Sequence, residues 1–173
     1  MSDSLLVVYA TRYGSTQEVA EQVAETLREA GLAVDVQAVQ KVRDLEGYRA
    51  VVLGAPLYIG QLLKDARRFL ERHQQALAER PVAVFALGPT GAGAEGEWVE
   101  VRAQLDKELQ KYPGLTPVAV ELFGGAYDPD KLRMFDKLLA TLPASPLHGA
   151  PASDLRDWDA IRAWASNLGE KLQ

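Results

Sequence analysis

The stretch Leu5–Gly31, LLVVYATRYGSTQEVAEQVAETLREAG, decides the fold. Leu5 to Ala10 is an unbroken apolar run, the pattern of a strand buried on both faces of a sheet. From Thr16 the period changes. Val19, Ala20, Val23, Ala24 and Leu27 recur at helical spacing, Glu18, Glu21, Gln22, Glu25 and Arg28 fill the other side, and Gly31 stops the helix. The junction, TRYGST from Thr11 to Thr16, sets exposed backbone N–H groups beside the positive end of a helix, which suits an anion and most often a phosphate. Gly14 can take a positive φ there, Thr11, Ser15 and Thr16 bring hydroxyls, and Thr16 is expected to cap the helix. The alternative is an ordinary capped strand-to-helix turn. Neither GxxxxGK[ST] nor GxGxxG is present, so nucleoside triphosphates and dinucleotides are poor ligands for this loop.

Outward from this unit, strand and helix patterns keep alternating. LAVDVQAVQ alternates apolar and polar residues through Val34, Val36 and Ala38, as a half-exposed edge strand does. RAVVLGA, ending at Ala55, reads as a buried third strand, and after a loop containing Pro56 a helix carries Leu62, Leu63, Ala66, Phe69 and Leu70 inward. Pro81 to Leu87 is a fourth strand, followed by the glycine-dense GPTGAGAEGEW, a helix over about 97–112, and PVAVELFGG as a fifth strand. The last helix is expected from about Asp157, with Trp158, Ile161, Trp164, Ala165 and Leu168 inward. Such alternation predicts an α/β fold, a doubly wound five-stranded parallel sheet of order 2-1-3-4-5 with helices on both faces. Ligands of such sheets sit at the carboxyl ends of the strands, where the loops TRYGST, PLYIGQ and GPTGAGAEGEW converge. The chain reads as a single domain, 1–173, with an insert at about 126–156 that holds a short helix near 130–141. That insert is either a lid or partner surface, or an excursion that merely covers core.

Composition excludes several classes. The net charge of -5 argues against nucleic acid as a partner, though not against a phosphate held by backbone amides. With no cysteine there is no disulfide, thiolate metal site or Cys nucleophile. His73 and His148 stand far apart, on a helix surface and in a loop, so no metal site is expected. No apolar run approaches the ~20 residues of a membrane span, and no secretory signal is read at MSDS, so a cytoplasmic location is expected. No catalytic triad or carboxylate pair stands out, and no catalytic side chain is assigned.

YATRYGSTQEVAE resembles the phosphate loop of the flavodoxin family, and the likeness continues through LGAPLYIGQL and FALGPTGAGAEGEW. In detail it is most similar to the flavodoxin-domain proteins grouped with menaquinone-dependent protoporphyrinogen oxidase. The resemblance implies FMN as cofactor, with Thr11, Tyr13, Gly14, Ser15 and Thr16 around its phosphate. Tyr13 stands where the family usually carries threonine. Arg12 either neutralises the phosphate or is simply solvated, the second being favoured because this loop type needs no cation. A flavin ring needs a flat slot with apolar walls and backbone groups at its polar edge. Pro56, Leu57, Tyr58, Ile59 and Gly60 are expected to form one wall, with Tyr58 the candidate for stacking on the ring. Gly88, Pro89, Thr90, Gly91, Ala92 and Gly93 are expected to let the backbone approach from the other side. Trp98 is a lid or core, with core ahead, and Tyr127 is expected at the edge of the site.

The function implied is electron transfer through a noncovalent FMN. As a carrier the protein would serve a redox partner protein. As an enzyme of the protoporphyrinogen oxidase type it would pass hydride equivalents from a porphyrinogen to a quinone. A third reading is a cofactor-free interaction module. The strand ends argue against a phosphoacceptor role, since they read Tyr9, Ala10, Gly54 and Ala55 and carry no acidic cluster.

Overall fold

The computed structural model describes residues 3–89, 95–132, 134–144 and 152–173. Thr90, Gly91, Ala92 and Gly93, and His148, lie outside the described residues. The elements run β1 (Ser4–Tyr9), α1 (Ser15–Glu29), β2 (Val34–Ala38), β3 (Tyr48–Tyr58), β4 (Gln61–Leu62), α2 (Lys64–Arg72), α3 (Gln74–Ala78), β5 (Val82–Leu87), α4 (Glu95–Leu109), β6 (Ala119–Phe123), β7 (Ala126–Tyr127), α5 (Met134–Ala140), β8 (Ser153–Asp154) and α6 (Trp158–Leu172).

The long strands lie in the order β2-β1-β3-β5-β6 and all pair parallel. Counting those five alone, this is the predicted 2-1-3-4-5 winding. Alternation along the strands divides their side chains between two cores. Leu5 and Val7 of β1, with Val52 and Phe85, pack against Val19, Val23 and Leu27 of α1 and Ile161, Ala165 and Leu168 of α6. Leu6 and Val8, with Val51, Leu53 and Val84, face Ala66, Phe69 and Leu70 of α2 and Leu105 and Leu109 of α4. Gly54 is a close-approach position: a Cβ there would stand 2.1 Å from the Phe85 ring. The carboxylate of Asp157 caps α6, accepting from the Ala160 N–H at 3.0 Å. Trp158 and Trp164 are only partly buried, at the margin of the core rather than inside it.

Three expectations need correction. The third strand does not stop at Ala55 but continues to Tyr58, turns through Ile59 and Gly60, and returns as the short antiparallel β4. Pro56 is therefore a strand residue, opposite Leu87 of β5 but beyond Gly54, the last β3 residue paired with β1, and its C=O accepts from the Leu63 N–H at 3.1 Å. The following helix starts at Lys64, so Leu62 belongs to β4 and Leu63 is the cap, and it breaks at His73 into α2 and α3. His73 is not a surface residue: it is 7% exposed with its ring 4.8 Å from that of Phe69, and burial lowers its pKa below the usual 6.5.

The segment between β6 and α6 is built around a two-stranded ribbon, with β7 antiparallel to β8. It rejoins the sheet through backbone bonds, Gly125 N–H to Pro89 C=O at 2.8 Å and Leu155 N–H to Gly125 C=O at 2.9 Å. Between the ribbon's strands lie a 3-10 turn, Pro129–Lys131, and α5, so the helix expected over 130–141 begins later.

Candidate functional site

The loop after β1 closes on itself before it meets α1. Gly14 adopts φ 95°, and its N–H donates to the Thr11 hydroxyl at 2.9 Å. The N-cap of α1 is Gly14 and no side chain caps the helix, so the expectation that Thr16 would do so is corrected. Thr16 lies within the first turn at 0% exposure, and its Oγ1 has no hydrogen-bond partner. A buried hydroxyl without a partner costs on the order of 1–3 kcal/mol, so it is retained at the mouth of a helix only where something else satisfies it. An uncapped N-terminus and an orphaned buried hydroxyl at one place are the donor set an anion requires.

Arg12 is not solvated in the sense expected. Its guanidinium donates to both carboxylate oxygens of Asp136 at 2.7 Å, and the Tyr13 hydroxyl donates to the same carboxylate. Asp136, on α5, is 6% exposed. Desolvation, then the bond to Asp136, pushes the Tyr13 phenol up to about 12. Nothing in the sequence reading pointed to Asp136, which lies more than a hundred residues from its partners.

A second unexpected residue is Arg156. Its side chain is 9% exposed and donates to the Ser15 C=O at 3.2 Å, to Glu18 at 2.9 Å and to Asp154 at 2.7 Å, with the Trp158 ring beneath it at 4.9 Å. It thus pins the β7–β8 ribbon to the start of α1. Its pKa is raised, chiefly by the Asp154 bond. Tyr127 enters here: with Tyr13, Ser15, Glu18, Asp128 and Arg156 it lines a small cleft beside the loop.

The hairpin after β3 stands at the same edge of the sheet. Tyr58 is 44% exposed and Ile59 fully so. Ile59 sits at φ 48°, left-handed geometry that a β-branched residue rarely adopts, followed by Gly60 at φ 72°. Leu57 faces the core and Pro56 is buried, so neither side chain forms an outer wall. The Tyr58 phenol is raised by desolvation and feels the charges of both Arg12 and Asp136, which puts it beside the first loop. Glu108, at 1% exposure on α4, reaches under the hairpin and accepts from the Leu62 N–H at 3.3 Å and from Lys111 at 2.5 Å. On the far side, Gly88 has a packing reason to lack a side chain, since a Cβ would stand 2.8 Å from Leu122. Pro89 is buried, and Trp98 is half-buried against the core, as the core reading of it expected.

The fold and the sequence are matched by known proteins. A family profile described as a flavodoxin domain matches residues 6–153. The chain belongs to the flavodoxin family. It is an FMN-binding, flavodoxin-like redox protein, and the orphaned hydroxyl at the helix mouth fits a bound phosphate. The protoporphyrinogen IX dehydrogenase [quinone] of Escherichia coli (strain K12) is 25% identical over 171 residues, covering 94% of this chain and 93% of that protein. An NAD(P)H dehydrogenase (quinone) of Caulobacter vibrioides (strain NA1000 / CB15N) is 29% identical over 89 residues, 39% of this chain and 45% of that one. Among solved structures, a flavodoxin of Streptococcus pneumonia TIGR4 superposes with a TM-score of 0.60 at 19% identity, over 98% of this chain and 97% of that one. Among the described residues no helix is long and apolar enough to cross a membrane.

Proposed function

We propose that the loop Thr11–Thr16 holds the FMN phosphate and that the Tyr58–Gly60 hairpin flanks the ring, giving an electron-transfer flavoprotein. The observation that carries this reading is the buried, unpartnered Oγ1 of Thr16 behind the uncapped start of α1. Thr16, Ser15 and the first amides of α1 offer neutral donors to a phosphate monoester, while Tyr58 and Ile59 offer exposed apolar surface to a flat ring. When bound, FMN supplies the redox chemistry itself. The exposed hairpin is then where a redox partner protein approaches, and the net charge of -5 favours a partner with a basic face.

A second reading is favoured by one observation: the match to the E. coli protein named for porphyrinogen oxidation and quinone spans nearly the whole chain, including the segment around α5. On that reading the protein takes hydride equivalents from a porphyrinogen and a quinone leaves as the quinol. Anaerobic incubation of the FMN-loaded protein with protoporphyrinogen and a soluble quinone separates the two. Steady formation of porphyrin and quinol supports the enzyme. Flavin that is reduced and reoxidised only in the presence of protein partners supports the carrier. Both readings place the protein in the cytoplasm as a single domain with an insert over 126–156, which cell fractionation and a single cooperative unfolding transition check.

A further inference from the structure

Two of the six residues of the TRYGST loop, Arg12 and Tyr13, are not turned toward the helix mouth but toward the insert. Their donors converge on one carboxylate, Asp136 of α5, which is almost fully buried by the contact. Thr16, by contrast, keeps its Oγ1 free of any protein partner. The loop therefore divides its labour: the neutral donors at 15 and 16 remain for an anion, and the larger side chains at 12 and 13 receive the insert.

The position of Asp136 makes this contact more than an anchor. On one side it accepts from Tyr13, directly before Gly14; on the other its charge is felt by Tyr58 at the root of the β3–β4 hairpin. The carboxylate is thus bonded to the loop proposed for the phosphate and lies within electrostatic reach of the hairpin proposed for the ring, which places α5 against the rim of the site. At seven residues, Met134–Ala140, α5 is too short to hold its own conformation in water and depends on tertiary contact. Its outer face exposes Leu138 at 63%, with Leu142 just beyond at 49%. A short helix fastened to a binding loop by a few side-chain bonds is the kind of element that can open and close on a ligand.

We propose that Asp136 is a latch: by accepting from Arg12 and Tyr13 it holds α5 against the phosphate loop at the rim of the site, so that α5 sets the rates at which the mononucleotide enters and leaves. The proposal rests on the reading of Thr11–Thr16 as the phosphate loop. Asp136 is a positioning residue here and does not itself contact the ligand. Replacing it with asparagine keeps the size and removes the charge that draws Arg12, so opening becomes easier and both directions of exchange accelerate together.

The test uses the full chain and two readouts. In the FMN-loaded protein, release followed by the change in flavin fluorescence on dilution is expected to be about tenfold faster in Asp136→Asn, with association accelerated by a similar factor and affinity moving less than about threefold. In the ligand-free protein, trypsin is expected to cut after the exposed Lys137 several-fold faster in the variant. Release within about twofold of the wild type, or faster release with association unchanged, overturns the latch, as does unaltered cleavage at Lys137. A wild-type chain that binds no FMN overturns the phosphate-loop reading and the gate with it, whereas FMN binding with unchanged exchange overturns the gate alone. If Asp136→Asn does not fold, Tyr13→Phe removes one of the bonds and is expected to give an intermediate acceleration of both readouts, and no acceleration overturns the proposal.

Discussion

Thr16 carries the clearest conflict between stability and function. Its hydroxyl is buried and unpartnered, so Thr16→Val, which keeps the shape and removes the orphan, is expected to stabilise the ligand-free protein by about 1 kcal/mol. The same change removes a donor to a dianion and is expected to weaken FMN binding by roughly tenfold or more. Urea denaturation of the ligand-free chain and a flavin titration measure the two effects, and a variant that loses stability would count against the orphan. Tyr13 gives a pH-dependent signature. Its folded-state pKa, about 12, stands above the unfolded value of 10.0, so the folded chain keeps its proton longer. The stability this contributes is complete below pH 10.0 and is lost as the pH rises toward about 12. Relative to Tyr13→Phe, the wild type is therefore expected to lose stability across that window, read from denaturation midpoints at increasing pH. The left-handed glycine at 14 was legible because a tight turn before a helix needs it. The partner of Arg12 was not, because no local pattern joins position 12 to Asp136. Nor did any propensity signal place Ile59 at positive φ, since a β-branched residue argues against it.

Between residue and domain, the β3–β4 hairpin shows how an element is positioned from beneath. Glu108 is buried on α4 and accepts from the Leu62 N–H of the returning strand, while Lys111 compensates its charge from the surface. Glu108→Ala strips the hairpin of that acceptor and leaves the Leu62 N–H unsatisfied, so a destabilisation of about 1–3 kcal/mol is expected, measured by chemical denaturation. Because the hairpin carries Tyr58 and Ile59, flavin affinity is expected to fall as well. A variant of unchanged stability would show that Gly60 and Pro56 hold the turn without help. Helix α1 was readable from its period alone, since fifteen residues present a complete apolar face. A two-residue strand such as β4 has no period to read, and Pro56 looked like the start of a loop when it was a strand residue beside a parallel neighbour. The α2–α3 break was invisible for a related reason: His73 is polar by type, and its burial against Phe69 is a tertiary event.

At the scale of the molecule, the winding order sets the loop after β1, the hairpin after β3 and the end of β5 at one edge of the sheet, and that much the alternation of strands and helices already required. The two cores follow from it, one for each face of the sheet, with Gly54 giving the Phe85 ring room against β3. The segment between β6 and α6 carries what the sequence could not disclose. Its ribbon is fastened to α1 by Arg156 and its helix to the loop by Asp136, so an addition to the fold reaches back to the site from both sides. Both fastenings depend on side chains that meet only once the sheet has formed.

A pair of equilibrium titrations of the ligand-free protein, one with FMN and one with riboflavin, reads the role of the phosphate loop most directly. The account predicts that FMN binds and that riboflavin, lacking the monoester, binds at least about 100-fold more weakly, since several charge-assisted hydrogen bonds at the mouth of α1 have nothing to hold. Equal affinity for the two, or no binding of FMN, would contradict it.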